Sequence, residues 1–301
     1  MIKIAIIGAT GLVGRTFAKV LTEEKIEADY VLFNRAGGTE IEIYGKKYMT
    51  QALSEEAARQ SKPDYTFFCA GAEVSKKYVP IMAGTGSIVI DNSSAFRRAP
   101  EIPLVIPECN PKMLKKVKRG GIVANPNCST IGALVALKPL DDKFKLKRII
   151  YSTYQAISGA GANPKFAYPI ENNLIPFING EEEKMVFETR KILGRTDIGV
   201  SATCIRVPVK NCHTVSINAE FEKPLTVEKA RKILSKAPGV VLLPENELPM
   251  PIIANDLNEV FIGRIRADDS HPNTINLITV SDNIRKGAAT NAVQILKCLM
   301  S

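Results

Sequence analysis

At 301 residues the chain is long enough for about two domains, and 45% hydrophobic with 24% charged residues excludes disorder along most of its length. The net charge of +9 is spread along the chain with Glu interleaved, as in "EEKIEADY" and "VEKARKILSK". That pattern argues against a nucleic-acid partner and suits small anionic ligands. No apolar run approaches the ~20 residues of a membrane span, and the first residues lack the zones of a signal peptide, so the expectation is a cytoplasmic protein with no membrane partner.

In chain order, the strand-like "KIAIIGA" leads into an amphipathic "LVGRTFAKVLTEE", then "YVLFN", "YTFFCAG", a helical "EVSKKYVPIMAG" and "SIVIDNSS". Apolar strands separated by helices imply parallel βαβ units, hence a Rossmann-type doubly wound α/β sheet whose ligands gather at the carboxyl ends of the strands. From about Tyr151 the texture changes. "RIIYSTYQAIS", "SATCIRVPV", "HTVSINAEFE", "NEVFIGRIRAD" and "NTINLITVSD" are β-branched or alternating runs, interrupted by the helical "TVEKARKILSKA". These predict a second, α+β domain with a largely antiparallel sheet. Helical spacing of Ala289, Val293, Leu296 and Met300 predicts a C-terminal helix returning to the first domain. The expected division is residues 1–127 with 283–301, and 128–282.

Gly8, Gly11 and Gly14 follow the first strand and open the first helix. Glycine there lets backbone approach a pyrophosphate, while the helix start offers unpaired N–H groups; the GxxGxxG spacing also fits a plain tight turn. An NAD site would carry Asp or Glu at the end of the second strand. Here that strand runs into Asn34-Arg35-Ala36-Gly37-Gly38, and Arg35 without a carboxylate points to the 2′-phosphate of NADP, the alternative being a solvated arginine.

The six cysteines include no CxxC pair, so neither a disulfide framework nor a metal site is expected. Cys128 stands apart from the rest. Pro126 disfavours helix at Asn125 and Asn127 is a good N-cap, which puts Cys128 in a first helical turn, where free N–H groups and the helix dipole favour thiolate. Of the two histidines, His271 in "DDSHPNT" reads as a surface turn residue, whereas His213 lies where two strand-like runs meet. One thiol and one scarce histidine form the pairing expected of acyl transfer through a thioester.

The blocks "GATGLVG", "DNSSAFR", "PECN", "NPNCST", "STYQAISGAG", "EEEKM", "ETRKIL", "SATCIRVPV", "FIGRIRAD" and "SDNIRKGAATNAVQI" occur in one order over nearly the whole chain, and in that order the sequence resembles the aspartate-semialdehyde dehydrogenase family. The resemblance implies NADP-dependent, phosphate-requiring interconversion of aspartate semialdehyde and aspartyl phosphate, a step toward lysine, threonine and methionine. It implies Cys128 as nucleophile, His213 as acid/base and Gln155 as the residue positioning the acyl group. Arg97, Asn127 and Lys184 match the phosphate site, Arg206 the carboxylate site and Glu181 the ammonium site. Gly8, Thr10, Gly11, Leu12, Val13, Gly14 and Arg35 match the cofactor cradle, with Ser158, Gly159 and Asn283 on its nicotinamide side. A homodimer or homotetramer is implied as well. The alternatives are an N-acetyl-glutamyl-phosphate reductase-like enzyme and a non-catalytic NADP-sensing protein. Three departures stand out: Cys212 where the family has a small residue before the histidine, no serine in the adenosine loop "FNRAGG", and a short passage from "SGAG" to "PIENNLIPFI" where relatives carry a longer segment of the dimer contact.

Overall fold

The computed structural model describes residues 1–301 except Ala162, Asn163 and Lys165. Readings that fall on those three positions, within the shortened passage after Gly161, lie outside the described residues. The chain's own contacts form two units, Met1–Pro126 with Ala288–Ser301, and Asn127–Gly287. The second boundary thus falls after Gly287 rather than 282. Asp282 accounts for this: its carboxylate accepts from the Ile284 and Arg285 N–H groups, its carbonyl accepts from Gly287 N–H, and Arg285 pairs with Asp256, so the turn stays with the second unit.

The first unit is built on a six-stranded, all-parallel sheet. Its strands are β1 (Lys3–Ile7), β2 (Asp29–Asn34), β5 (Gln51–Ala52), β6 (Tyr65–Phe68), β7 (Ile88–Asp91) and β8 (Ile122–Ala124), in the order β5-β2-β1-β6-β7-β8. A hairpin of β3 (Glu40–Ile43) and β4 (Lys46–Met49) lies outside it. Alternation along β1 sends Ile4 and Ile6 to one face and Ala5 and Ile7 to the other. The first face packs on α1 (Leu12–Glu23) through Phe17 and Leu21, and on the C-terminal helix Thr290–Met300 through Val293 and Leu296. The second packs on α2 (Glu55–Ser61) and α3 (Ala72–Gly84) through Ala58, Val79 and Met82. With both faces covered, the inner strands read as continuous apolar runs, which is why they are legible in the sequence. The strand order reverses between β1 and β6, and the crevice beyond those carboxyl ends is the general ligand site of such sheets.

The second unit opens with the long, largely buried helix α4 (Cys128–Phe144). Its strands are β9 (Leu146–Gln155), β10 (Gly199–Arg206), β11 (His213–Phe221), β12 (Val240–Leu242), β13 (Val260–Ala267) and β14 (Thr274–Ser281), ordered β10-β9-β11-β14-β13-β12. The three inner pairs are antiparallel, as the strand texture predicts, while at the two edges β10 runs parallel to β9 and β12 parallel to β13. Parallel neighbours require a crossover. Helix α5 (Glu181–Leu193) lies between β9 and β10, and α7 (Pro251–Ala254) between β12 and β13. Helix α4 covers the sheet through β11, α5 through β10, and α6 (Val227–Leu234) through β13. On β9, Ile149, Tyr151, Thr153 and Gln155 are buried, while Ile150 and Tyr154 on the opposite face are 38% and 40% exposed.

Candidate active site

Cys128 is the first residue of α4, and Asn127 is its N-cap. Asn127 Oδ1 accepts from the Ser129 N–H at 2.9 Å and the Thr130 N–H at 3.4 Å, satisfying two of the helix's orphan donors. A Cβ at Gly287 would stand 2.7 Å from Cys128 Cβ, so only glycine leaves room for the thiol-bearing residue. One turn on, a Cβ at Gly132 would stand 2.7 Å from Ser281 Oγ, which brings the start of α4 against the end of β14.

The same end of the sheet gathers the other expected residues. Gln155 closes β9 and is the register partner of Arg206, which closes β10; His213 opens β11 opposite Ser281. The Ala156 backbone joins two of them: its carbonyl accepts from Arg206 Nη1 at 2.6 Å and its N–H donates to His213 Nδ1 at 3.0 Å. A backbone N–H can only donate, so Nδ1 is the unprotonated nitrogen and the neutral ring carries its proton on Nε2. His213 Nε2 is buried with no hydrogen-bond partner among the described residues. Burial, and then the Arg206 charge, push the pKa of His213 down to about 3, so the ring is neutral at neutral pH. Gly159 fits closely over this pair, since a Cβ there would lie 2.8 Å from both Arg206 Nη1 and His213 Cε1.

Glu181 and Lys184, in the first turn of α5, complete a polar cluster. Glu181 accepts from Lys184 Nζ at 2.6 Å, Asn127 Nδ2 at 2.7 Å and Gln155 Nε2 at 3.4 Å. Burial pushes its carboxyl up, but Lys184 and these hydrogen bonds outweigh that and leave it below the usual carboxylate range. Arg206, buried at 5% exposure, is held down by desolvation against the opposing pull of Cys128, Glu181 and Cys204. An apolar cavity of about 840 Å³ opens beside Arg206, lined by Phe166, Tyr168, Leu174 and Phe177 among others.

Asn283 and Ser158 are hydrogen-bonded to each other. Asn283 Nδ2 donates to Ser158 Oγ at 3.1 Å, and its Oδ1 accepts from the Cys212 N–H at 2.9 Å, which braces the backbone on either side of His213. Cys212 has φ of 73°, a left-handed conformation that favours glycine, and this is the physical reason for a small residue before the histidine. Its thiol packs with Leu243, Ala254, Phe261 and Val280, and burial pushes its pKa up to about 12. The buried, protonated thiol thus fills space in this apolar cluster.

In the first unit, Gly8 has φ of 84° and its N–H donates to Phe33 O at 2.9 Å. A Cβ at Gly14 would lie 2.3 Å from Gly8 O, so this turn is closed to any larger residue. Gly11 is the N-cap of α1 and offers no side-chain cap, which leaves the first N–H groups of Leu12 and Val13 available to an anion, with Thr10 half-buried in the same turn. A pyrophosphate therefore fits this cradle. At the end of β2, Asn34 Oδ1 accepts from the Ala36 and Gly37 N–H groups, and Arg35 is exposed. Arg97 is buried at 9% exposure and donates from Nη2 to Asn92 O at 2.8 Å.

One residue of the second unit escaped the sequence reading. Glu188, 1% exposed, accepts the backbone N–H of Asn127 at 2.6 Å. The signal was present: the buried stripe of α5 is Glu181, Met185, Glu188, Thr189 and Ile192, and two carboxylates inside an amphipathic stripe break the binary pattern, which marks a functional place.

A glycine-rich turn at the mouth of a parallel sheet in one unit, and a capped thiol with a buried neutral histidine in the other, accompany an oxidoreductase of the semialdehyde dehydrogenase class. Residues 3–117 match the family model described as semialdehyde dehydrogenase, NAD binding domain, and residues 137–286 the one described as semialdehyde dehydrogenase, dimerisation domain. The chain is 45% identical to the aspartate-semialdehyde dehydrogenase of Aquifex aeolicus, over 99% of this chain and 98% of that one. It is 44% identical to that of Campylobacter jejuni, over 97% and 96%. Among solved structures, aspartate semialdehyde dehydrogenase II of Vibrio cholerae complexed with ASA superposes with a TM-score of 0.95 at 38% identity, covering 100% of this chain and 98% of that chain. The enzyme of Candida albicans with NADP gives 0.85 at 27% identity, with the same coverage. The chain belongs to the aspartate-semialdehyde dehydrogenase family. The 333 positions aligned with the Aquifex relative exceed the 301 residues here, so at least 32 of them are gaps in this chain.

Proposed function

We propose that the protein interconverts L-aspartyl 4-phosphate and L-aspartate 4-semialdehyde with NADP, through a thioester on Cys128, in the biosynthesis of lysine, threonine and methionine. The observation that carries this reading is the convergence of Cys128, Gln155, Arg206 and His213 on one end of the second sheet. In the reductive direction the Cys128 thiolate attacks the acyl carbon, the C–S bond forms, and phosphate leaves with the electrons of the C–O bond. NADPH, when bound, supplies the hydride that turns the thioester into aldehyde and free thiolate.

Each remaining group acts on charge. His213 presents Nε2–H, so its part of the acid/base role is to donate to the acyl oxygen as negative charge builds there. Arg206 takes the substrate carboxylate, for which a planar fork suits better than an ammonium. The substrate ammonium goes to Glu181 and displaces Lys184, which then joins Asn127 on the phosphate. For the cofactor, Arg35 and the neutral Asn34 at the end of β2 favour a 2′-phosphate over a bare ribose. The open face of the second sheet, with Ile150 and Tyr154 exposed, suits a homodimer whose contact is smaller than that of longer relatives.

Initial rates of NADP+ reduction with aspartate semialdehyde and phosphate, beside N-acetyl-glutamate semialdehyde and a Cys128→Ala variant, test the reading. A phosphate-dependent rate with the aspartyl substrate alone, lost in the variant, is expected. A rate that survives loss of the thiol would overturn the mechanism.

A further inference from the structure

The N-cap of the Cys128 helix is held at two points by one neighbour. Asn127 Nδ2 donates to Glu181 Oε2 at 2.7 Å and Asn127 N–H donates to Glu188 Oε2 at 2.6 Å, so two carboxylates seven residues apart on α5 grip the side chain and the backbone of a single residue. Asn127 in turn caps the two residues that follow Cys128. A carboxylate is costly to bury unless it is well bonded, and Glu188 is almost wholly buried, so its presence in the stripe needs a reason. Apolar packing would have served α5 better if the helix merely filled space.

We infer that Glu188 is a positioning residue for the Cys128 thiol, fixing the first turn of α4 through the Asn127 amide. The inference rests on the reading of Cys128 as nucleophile. It also ties the thiol to the helix that carries Glu181 and Lys184, so that the substrate-binding turn of α5 and the start of α4 share one register. The bond to Asn127 runs from a backbone N–H, which a neutral amide oxygen of the same reach also accepts.

Two conservative variants separate reach from charge. Glu188→Gln keeps the reach and removes the charge, whereas Glu188→Asp keeps the charge and withdraws the acceptor by roughly one carbon–carbon bond, about 1.5 Å. In the full chain, with thermal melts to show that both fold, kcat and KM for aspartate semialdehyde are measured beside the iodoacetamide alkylation rate of Cys128, followed by peptide mapping. Glu188→Gln is expected within about threefold of the parent in all three; Glu188→Asp is expected to lose about tenfold or more in kcat and in alkylation rate, with KM within about threefold. Parent-like Glu188→Asp, or Glu188→Gln impaired as much as Glu188→Asp, overturns the inference. Should the parent chain lack phosphate-dependent semialdehyde oxidation, the functional reading fails, while the alkylation rates still decide whether Glu188 places the thiol.

Discussion

Gly159→Ala tests whether the His213–Arg206 pair must be held to within a fraction of an ångström. Gly159 does not have a left-handed φ, so alanine is permitted by the backbone, but its Cβ would lie 2.8 Å from Arg206 Nη1, 2.8 Å from His213 Cε1 and 3.0 Å from His213 Nε2. Ordinary contact begins at 3.4 Å, so the ring and the guanidinium must each retreat by at least 0.6 Å, the difference from 2.8 Å. Neither can do so freely, because both are bonded to the backbone of the same residue, Ala156. A misplacement near 1 Å costs on the order of a hundredfold in rate, so about 10- to 100-fold is expected here, or roughly 1.4–2.7 kcal/mol of transition-state stabilisation. The control is Gly161→Ala, whose φ of 97° strains the backbone but which meets nothing within 4 Å. It is expected to lower stability by about 1–2 kcal/mol and leave kcat/KM alone. Steady-state kinetics and urea unfolding on both variants decide the matter. Parent-like kcat/KM in Gly159→Ala, or an equal loss in Gly161→Ala, would refute the reasoning.

The buried neutral His213 also predicts a pH dependence of stability. Its folded pKa lies below its unfolded value of 6.5, at about 3, so the unfolded chain binds the extra proton between those limits and stability falls as pH drops below 6.5. Between about pH 7.5 and pH 5 the parent should lose about 2 kcal/mol more than His213→Gln in urea unfolding; parallel profiles would show the ring is not held neutral. At the end of β2, Asn34→Asp keeps the acceptor for the Ala36 and Gly37 N–H groups but brings a carboxylate to the ribose. The ratio of kcat/KM for NADP to that for NAD is expected to drop by about tenfold or more, and an unchanged ratio would count against the assignment of the 2′-phosphate to this turn.

The sequence made the central strands and the thiol turn legible because each is local. β1, β6 and β7 are apolar runs, and the Asn-Pro-Asn turn caps a helix within three residues. Other elements lie below the reach of periodicity: β5 has two residues, β12 three and α7 four. The β3–β4 hairpin carries a local signal of its own: "EIEI" alternates, and Tyr44 and Gly45, with φ of 53° and 72°, form its two-residue turn. Cys212 and Glu188 were hidden for a different reason. The left-handed φ of the one and the Asn127 amide held by the other depend on chain brought together from 71 and 61 residues away, by Asn283 and by α5.

The parallel edge of the second sheet is what makes the site possible. Because β10 runs parallel to β9, Arg206 ends beside Gln155. Had the pair been antiparallel, the eight-residue β10 would have carried Arg206 to the far end of the sheet, seven steps of ~3.3 Å or about 23 Å away. The parallel pairing in turn demands a crossover, and that crossover contains α5. To return to the start of β10 the chain must come back from the Gln155 end, so the first turn of α5, with Glu181 and Lys184, falls at the end that holds Gln155 and Arg206. β11 then adds its own first residue, His213, to the same end only because it runs antiparallel to β9. One parallel and one antiparallel neighbour around β9 are thus both required to bring a strand's last residue, another's last residue and a third's first residue to a single thiol.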